Sequence, residues 1–177
     1  MKTMLIELLE EKNRLGLTGL IVGVGRGQDI SMLNEHLDID MLYLIDAYKP
    51  FRLRGITNSD YVEQYDDAKI LMDKYSDTVT FIKKFECDAF DDIPDGLDFI
   101  WFDFSYEYDT FINACYRWFP KLKPSGIFAG NRYTYHFPSM KKALKDFTKQ
   151  NRLKLNKITS KRNKHNGEWW IYKLGAE

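Results

Sequence analysis

The sequence predicts an α/β fold: a mostly parallel, seven-stranded sheet with helices on both faces and an antiparallel hairpin at its C-terminal end. Two observations carry this expectation. Short apolar runs of strand length alternate with amphipathic stretches along most of the chain, and the last two apolar runs are separated by a polar stretch too short for a crossover helix.

The elements follow in order. Leu5, Leu8, Leu9 and Leu15 repeat near helical spacing and predict an N-terminal helix over residues 1–14, within a segment 1–15. Its leucine stripe suits covering a cleft, docking on the sheet or pairing with a second copy, so a homo-oligomer stays open. Apolar runs at residues 20–24, 42–45, 79–82, 99–102 and 127–130 read as buried strands. Between them, Ile30, Leu33 and Leu37, then Tyr61, Tyr65 and Met72, then Phe111, Cys115 and Trp118, then Met140, Leu144 and Phe147 mark amphipathic helices. Residues 153–158 and 169–174 flank the turn-rich SKRNKHNG and form the hairpin. No repeat, low-complexity tract or linker interrupts residues 1–177, which predicts one domain.

Charge and cysteine content narrow the function classes. Lys plus Arg and Asp plus Glu balance at 26 each, so no global field favours nucleic acid or an anionic membrane. The basic stretch 154–164 contains no aromatic residue for base stacking and reads as a solvated loop. A small-molecule substrate is the expected partner. Cys87 and Cys115 form neither a CxxC pair nor a cluster with His, which supports neither zinc nor a disulfide framework. The acidic residues in the first apolar segment are foreign to a secretory leader, and no run reaches membrane-spanning length, which predicts a reducing, cytoplasmic setting.

The strongest local signal is LIVGVGRGQDISML, where a strand runs into Gly23, Gly25 and Gly27 and a helical pattern begins at once. Glycines there permit positive φ and close approach of a ligand to the backbone, and the helix start offers unpaired N–H groups. A tight turn without a ligand is the plainer alternative. The spacing is GxGxG: a nicotinamide fingerprint needs glycine where Gln28 stands, and a P-loop needs Gly-Lys-Ser/Thr. The next strand ends in LYLIDAY, so Asp46 follows the turn by about twenty residues, where a carboxylate accepts both hydroxyls of an adenosine ribose.

Through GVGRG and the acidic end of the second strand, the chain resembles the class I S-adenosylmethionine-dependent methyltransferases over nearly its whole length. Within that superfamily it is most similar to the macrocin-type O-methyltransferases. Their Ile-Asp-Gly-x-His-Ser-Tyr, Leu-Lys-Pro-Gly-Gly and Gly-His-Asp-Tyr segments correspond here to FDFSYEYD, LKPSG and GNRY. The resemblance implies S-adenosyl-L-methionine as cofactor, methyl transfer as the activity, and a Rossmann-like fold. It also carries over Asp103, Tyr108, Lys123, Pro124, Gly126, Gly130 and Tyr133, and LKPSG reads as a turn ahead of the fifth strand. The departures are Tyr106 for the family's His, Asn131 for the second His, Arg132 for an Asp, and Ile21 where an acid near the methionine amine often stands.

For the cofactor, the resemblance and the motifs together nominate Gly23, Gly25, Gly27, Asp46 and Asp103, with Cys87 and Asp88 after the third strand near adenine. Asp88 as a simple turn residue is the alternative. Asp103, Tyr106 and His136 are candidates for taking a proton from a hydroxyl or amine acceptor, with packing and solvation as the plainer roles of Tyr106 and His136. Arg52, Arg54, Tyr108, Asn131, Arg132 and Tyr133 are the substrate-binding candidates, and the arginines suit an anionic acceptor. Members of the resembling group commonly hold a divalent cation on carboxylates at these strand ends; Arg132 in place of the second carboxylate predicts no metal here and leaves Asp103 to pair with Arg132 or to be buried and hydrogen-bonded at the end of its strand. A non-catalytic protein that binds the cofactor or its demethylated product is the competing reading.

Overall fold

A computed structural model describes residues 3–11, 15–49, 58–159 and 167–175. Seven strands form one sheet: β1 (Leu17–Val22), β2 (Ile39–Ile45), β3 (Val79–Ile82), β4 (Leu97–Phe102), β5 (Leu122–Gly130), β6 (Asn156–Thr159) and β7 (Gly167–Tyr172). Their order is β3-β2-β1-β4-β5-β7-β6. The first five run parallel, while β7 lies antiparallel between β5 and β6. The alternation of strand and helix signals and the terminal hairpin are thus both realised.

Helices α1 (Met4–Glu10), α2 (Gln28–His36), α3 (Asn58–Lys74), α4 (Tyr108–Trp118) and α5 (Pro138–Gln150) cover the sheet. One apolar layer joins α1, α2 and α3 to Ile21, Leu42, Phe99, Trp101 and Ile127. The other joins α4 and α5 to Leu20, Ile100, Phe102, Phe128 and Trp169. Because both faces are covered, all six residues of β4 are buried, and its sequence reads as a nearly continuous apolar run. Asp98 is the exception on that strand. Its carboxylate accepts from Thr18 N–H at 3.1 Å and pairs with Lys123, so its charge is neutralised where it is buried.

Three local expectations need correction. Helix α1 ends at Glu10, and Leu15 is 83% exposed, so Leu15 belongs to no buried stripe. Leu5, Ile6 and Leu9 instead dock the helix on the sheet face, and Thr3 caps it by accepting from Ile6 N–H. LKPSG is not a turn ahead of its strand: β5 already contains it, with a register shift between Leu122 and Ile127 and Ser125 at φ 61°. The turn chemistry is absorbed as a bulge. Both hairpin strands are shifted: β6 is shorter and begins at Asn156, and β7 keeps its length but runs from Gly167 to Tyr172.

No helix among the described residues is long and apolar enough to cross a membrane.

Candidate active site

The C-terminal ends of β1, β2, β4 and β5 meet at one edge of the sheet, where parallel α/β folds build their sites. The glycine turn lies between β1 and α2. Gly23, Gly25 and Gly27 have φ of 88°, 53° and 83°, so all three occupy the left-handed region. Their surroundings differ. A Cβ on Gly23 would lie 2.1 Å from the Asp103 carbonyl oxygen, and one on Gly27 would press on Ala68 of α3 at 3.1 Å. A Cβ on Gly25 would meet nothing within 4 Å among the described residues. Two of the glycines are therefore demanded by packing, whereas Gly25 turns its bare backbone to open space. Arg26 points the other way and pairs with Glu63 and Asp67 of α3, which secures the turn to that helix.

Asp46, at the end of β2, holds this turn from the side. Oδ2 accepts from Val24 N–H at 2.9 Å and Gly25 N–H at 3.3 Å, and Oδ1 accepts from Tyr48 N–H at 2.8 Å. The Tyr48 hydroxyl donates to the Gly25 carbonyl at 2.8 Å, and its buried ring stacks edge-on to Tyr65 and Phe81. Tyr48 itself has φ 46°. Two side chains of the segment DAY thus fix the conformation of Gly25. Burial beside Asp46 pushes the Tyr48 phenol well above its ordinary range, so it remains a donor.

On the other side of β1, Asp103 follows β4. Two hydrogen bonds arrive at its Oδ1, from the Tyr106 hydroxyl at 2.6 Å and from Arg132 Nε at 3.1 Å. Among the described residues, Oδ2 has no partner. Arg132 follows β5 with φ 57°, and its guanidinium also lies 5.4 Å from the centre of the Tyr106 ring. Tyr106 stacks on Phe137 with centroids 4.3 Å apart. Burial and the neighbouring Asp103 raise the Tyr106 phenol far above its usual range. It is a fixed donor to Asp103 and not a base.

The remaining candidates separate clearly. Asn131 sits at the end of β5 beside Arg132, and its Oδ1 is buried with no hydrogen-bond partner among the described residues. Cys87 and Asp88 lie exposed on a short 3-10 turn, Glu86–Asp88, beyond β3, with the thiol 3.6 Å from the Asp88 carboxylate. His136 is exposed on the loop before α5, its ring against Tyr135 at 3.8 Å. Tyr108 is not turned to the cleft; its hydroxyl donates to Asp146 of α5 at 2.8 Å, under Lys142, and ties two helices together. Tyr133 is likewise corrected to a packing residue, 2% exposed in the α4–α5 layer. Arg52 and Arg54 lie outside the described residues.

Asp29 went unnoticed in the sequence. It stands in the first turn of α2 and accepts from the Trp101 indole N–H at 2.9 Å. Burial, with Asp103 and Glu168 adding repulsion, raises its carboxyl from 3.8 to about 6. The available signal was an acid directly after a glycine turn, which reads by itself as ordinary helix-start charge. Among the described residues, no group of three or more His, Cys, Asp or Glu is arranged to hold a metal ion.

No protein-family model and no curated protein matches the sequence. Solved structures do. The chain is similar to an O-methyltransferase from Bacillus cereus solved in complex with S-adenosylhomocysteine, with a TM-score of 0.69 at 12% identity, covering 96% of this chain and 79% of that one. An rRNA methylase from Streptococcus thermophilus gives a TM-score of 0.68 at 13% identity, covering 97% and 95%. An S-adenosylmethionine-dependent O-methyltransferase from Thermotoga maritima gives 0.67 at 15%, covering 98% and 64%. The chain has the Rossmann-like class I methyltransferase fold.

Proposed function

We propose that this protein transfers a methyl group from S-adenosylmethionine to a hydroxyl or amine of a small, anionic acceptor, without a metal. The observation that carries this reading is Gly25. Of three turn glycines it alone has, among the described residues, no neighbour that demands glycine, yet it is held at positive φ by Asp46 and Tyr48. That is a cradle for a ligand lying along the backbone. The residues fit the cofactor: Asp46 beside the cradle is an acceptor for ribose hydroxyls, Asp88 beyond β3 is within the same edge for an adenine amine, and the start of α2 offers N–H groups.

When bound, S-adenosylmethionine supplies an activated methyl group on a sulfonium. Catalysis then rests chiefly on alignment, because the nucleophile, methyl and sulfur must be brought into line. Asp103 is the residue for the proton. Its Oδ1 is anchored by Tyr106 and Arg132, so Oδ2 is left to receive the acceptor's hydrogen as the new bond forms. Arg132, about half exposed, offers its remaining guanidinium N–H groups to an anionic part of the acceptor. Asn131 adds a hydrogen-bonding group at the same strand end.

Isothermal calorimetry with S-adenosylmethionine, S-adenosylhomocysteine and NAD tests the reading. Micromolar binding of the sulfur compounds without NAD is the expected result; tight NAD binding with neither sulfur compound bound overturns it.

A further inference from the structure

Resting on that reading of the glycine turn, we infer that Asp29 is a further binding residue of the site and receives the ammonium group of the cofactor's amino-acid end. The turn sits at the end of β1, between β2 on one side and β4 on the other. With the ribose end held at Asp46 on β2, the opposite end of the same ligand extends toward β4. Asp29 stands there.

The neighbouring residues show why a carboxylate from α2 is needed. In the β1–β4 pairing, Ile21 lies directly beside Trp101, and both belong to the layer covered by α1 and α2. The strand position is apolar and fully buried, so it offers no charge to a cation. Asp29 reaches back from the first turn of α2 and seats one carboxylate oxygen, Oδ2, on the Trp101 indole N–H. An acid therefore stands at Trp101, the sheet neighbour of Ile21, supplied from the helix and not from the strand. Its Oδ1 carries no hydrogen bond among the described residues.

The charges around Asp29 identify its ligand. The groups acting on it are Asp103 at the end of β4 and Glu168 on β7, both acidic. Glu168 is occupied by Met4 N–H of α1 at 2.6 Å, and Asp103 is paired with Arg132. Among the described residues, Asp29 is left with a neutral indole as its one donor and carboxylates as its charged neighbours, an arrangement that an incoming ammonium with three N–H donors completes. Placement on a helix locked by its own hydrogen bond to β4 keeps the carboxylate preorganised for that cation.

The experiment is a cycle measured by calorimetry on the full chain: wild type and Asp29→Asn, each with S-adenosylhomocysteine, its desamino analogue and 5′-methylthioadenosine. An asparagine Oδ1 still accepts from Trp101, so the variant keeps the local geometry. Wild type is expected to bind S-adenosylhomocysteine about ten- to a hundredfold more tightly than the desamino analogue. Asp29→Asn is expected to erase that preference while 5′-methylthioadenosine binds both proteins equally. Equal binding of the amino and desamino compounds by wild type overturns the inference even if the variant does not fold. An undiminished preference in a folded Asp29→Asn protein also overturns it. Failure of wild type to bind any of the three sinks the underlying cofactor reading instead, and with it this one.

Discussion

Asp103 and Arg132 face each other across the ends of β4 and β5, with the guanidinium Nε 3.1 Å from the carboxylate. A guanidinium stays protonated at any working pH, so it occupies electrostatically the place a divalent cation would need. Magnesium is expected neither to raise the melting temperature nor to be required for activity, and EDTA is expected to have no effect. Arg132→Asp removes the cation and supplies a second carboxylate; aspartate tolerates the φ of 57° at this position better than most residues. That variant should gain a magnesium-dependent stabilisation of about 1 kcal/mol, a rise of roughly 3 °C, at a magnesium concentration several times its dissociation constant. Activity lost in EDTA and restored by magnesium in the wild type would show that other oxygens complete a metal site.

The two glycines at the ends of the cradle's first half should fail differently. Gly23→Ala drives a Cβ into the Asp103 carbonyl at 2.1 Å in a strained backbone, and is expected to cost about 3 to 5 kcal/mol of stability. Gly25→Ala meets no neighbour among the described residues and carries the left-handed strain, about 1 to 2 kcal/mol. It should remain folded and lose the cofactor. Urea denaturation and calorimetry on both variants separate the outcomes, and a Gly25→Ala protein that binds normally would make the turn purely structural.

The architecture was legible because periodicity reports burial directly: an apolar run such as that of β4 has no other use than a strand covered on both faces. The Gly turn, Asp46 and the Asp103–Arg132 pair were legible because they follow strand ends, where topology brings distant segments together. Tyr108 and Tyr133 were not, since a tyrosine near a strand end is equally able to face a cleft or the core. Only the Asp146 partner of the one and the burial of the other decide. Asp29 escaped because its meaning depends on Trp101, 72 positions away, and no local pattern joins the two.

Asp46 serves the fold as well as the ligand. It accepts three backbone N–H groups, from Val24, Gly25 and Tyr48, before any ribose arrives. Asp46→Ala is therefore expected to lower stability by about 1 to 3 kcal/mol and, separately, to weaken S-adenosylhomocysteine binding by about 1 to 3 kcal/mol, since a carboxylate makes charge-assisted bonds. Asp46→Asn retains an acceptor and should recover part of both. Thermal melts paired with calorimetry test this; an unchanged dissociation constant in a folded Asp46→Ala protein would remove Asp46 from the site.

Asp29 makes the stability of the protein depend on pH in a direction opposite to that of a salt-bridged acid. Burial first, then repulsion from Asp103, raises its carboxyl from the ordinary 3.8 to about 6 in the folded chain, while the Trp101 hydrogen bond pulls the other way. Between those values the folded state binds more proton than the unfolded state, so this group's contribution falls as pH rises through the window and is constant beyond it. At about 1.4 kcal/mol per tenfold, ionised Asp29 costs up to about 3 kcal/mol at pH 7.5. Asp29→Asn does not titrate and still accepts from Trp101. It should be more stable than the wild type at pH 7.5 and close to it near pH 4, where Asp29 is protonated in the folded wild type. Urea denaturation of the pair at the two pH values measures the difference directly. A gap that is the same at both would show that Asp29 keeps an ordinary carboxyl in the fold. S-adenosylhomocysteine should narrow the gap at pH 7.5, since its ammonium stabilises the ionised carboxylate in the wild type alone.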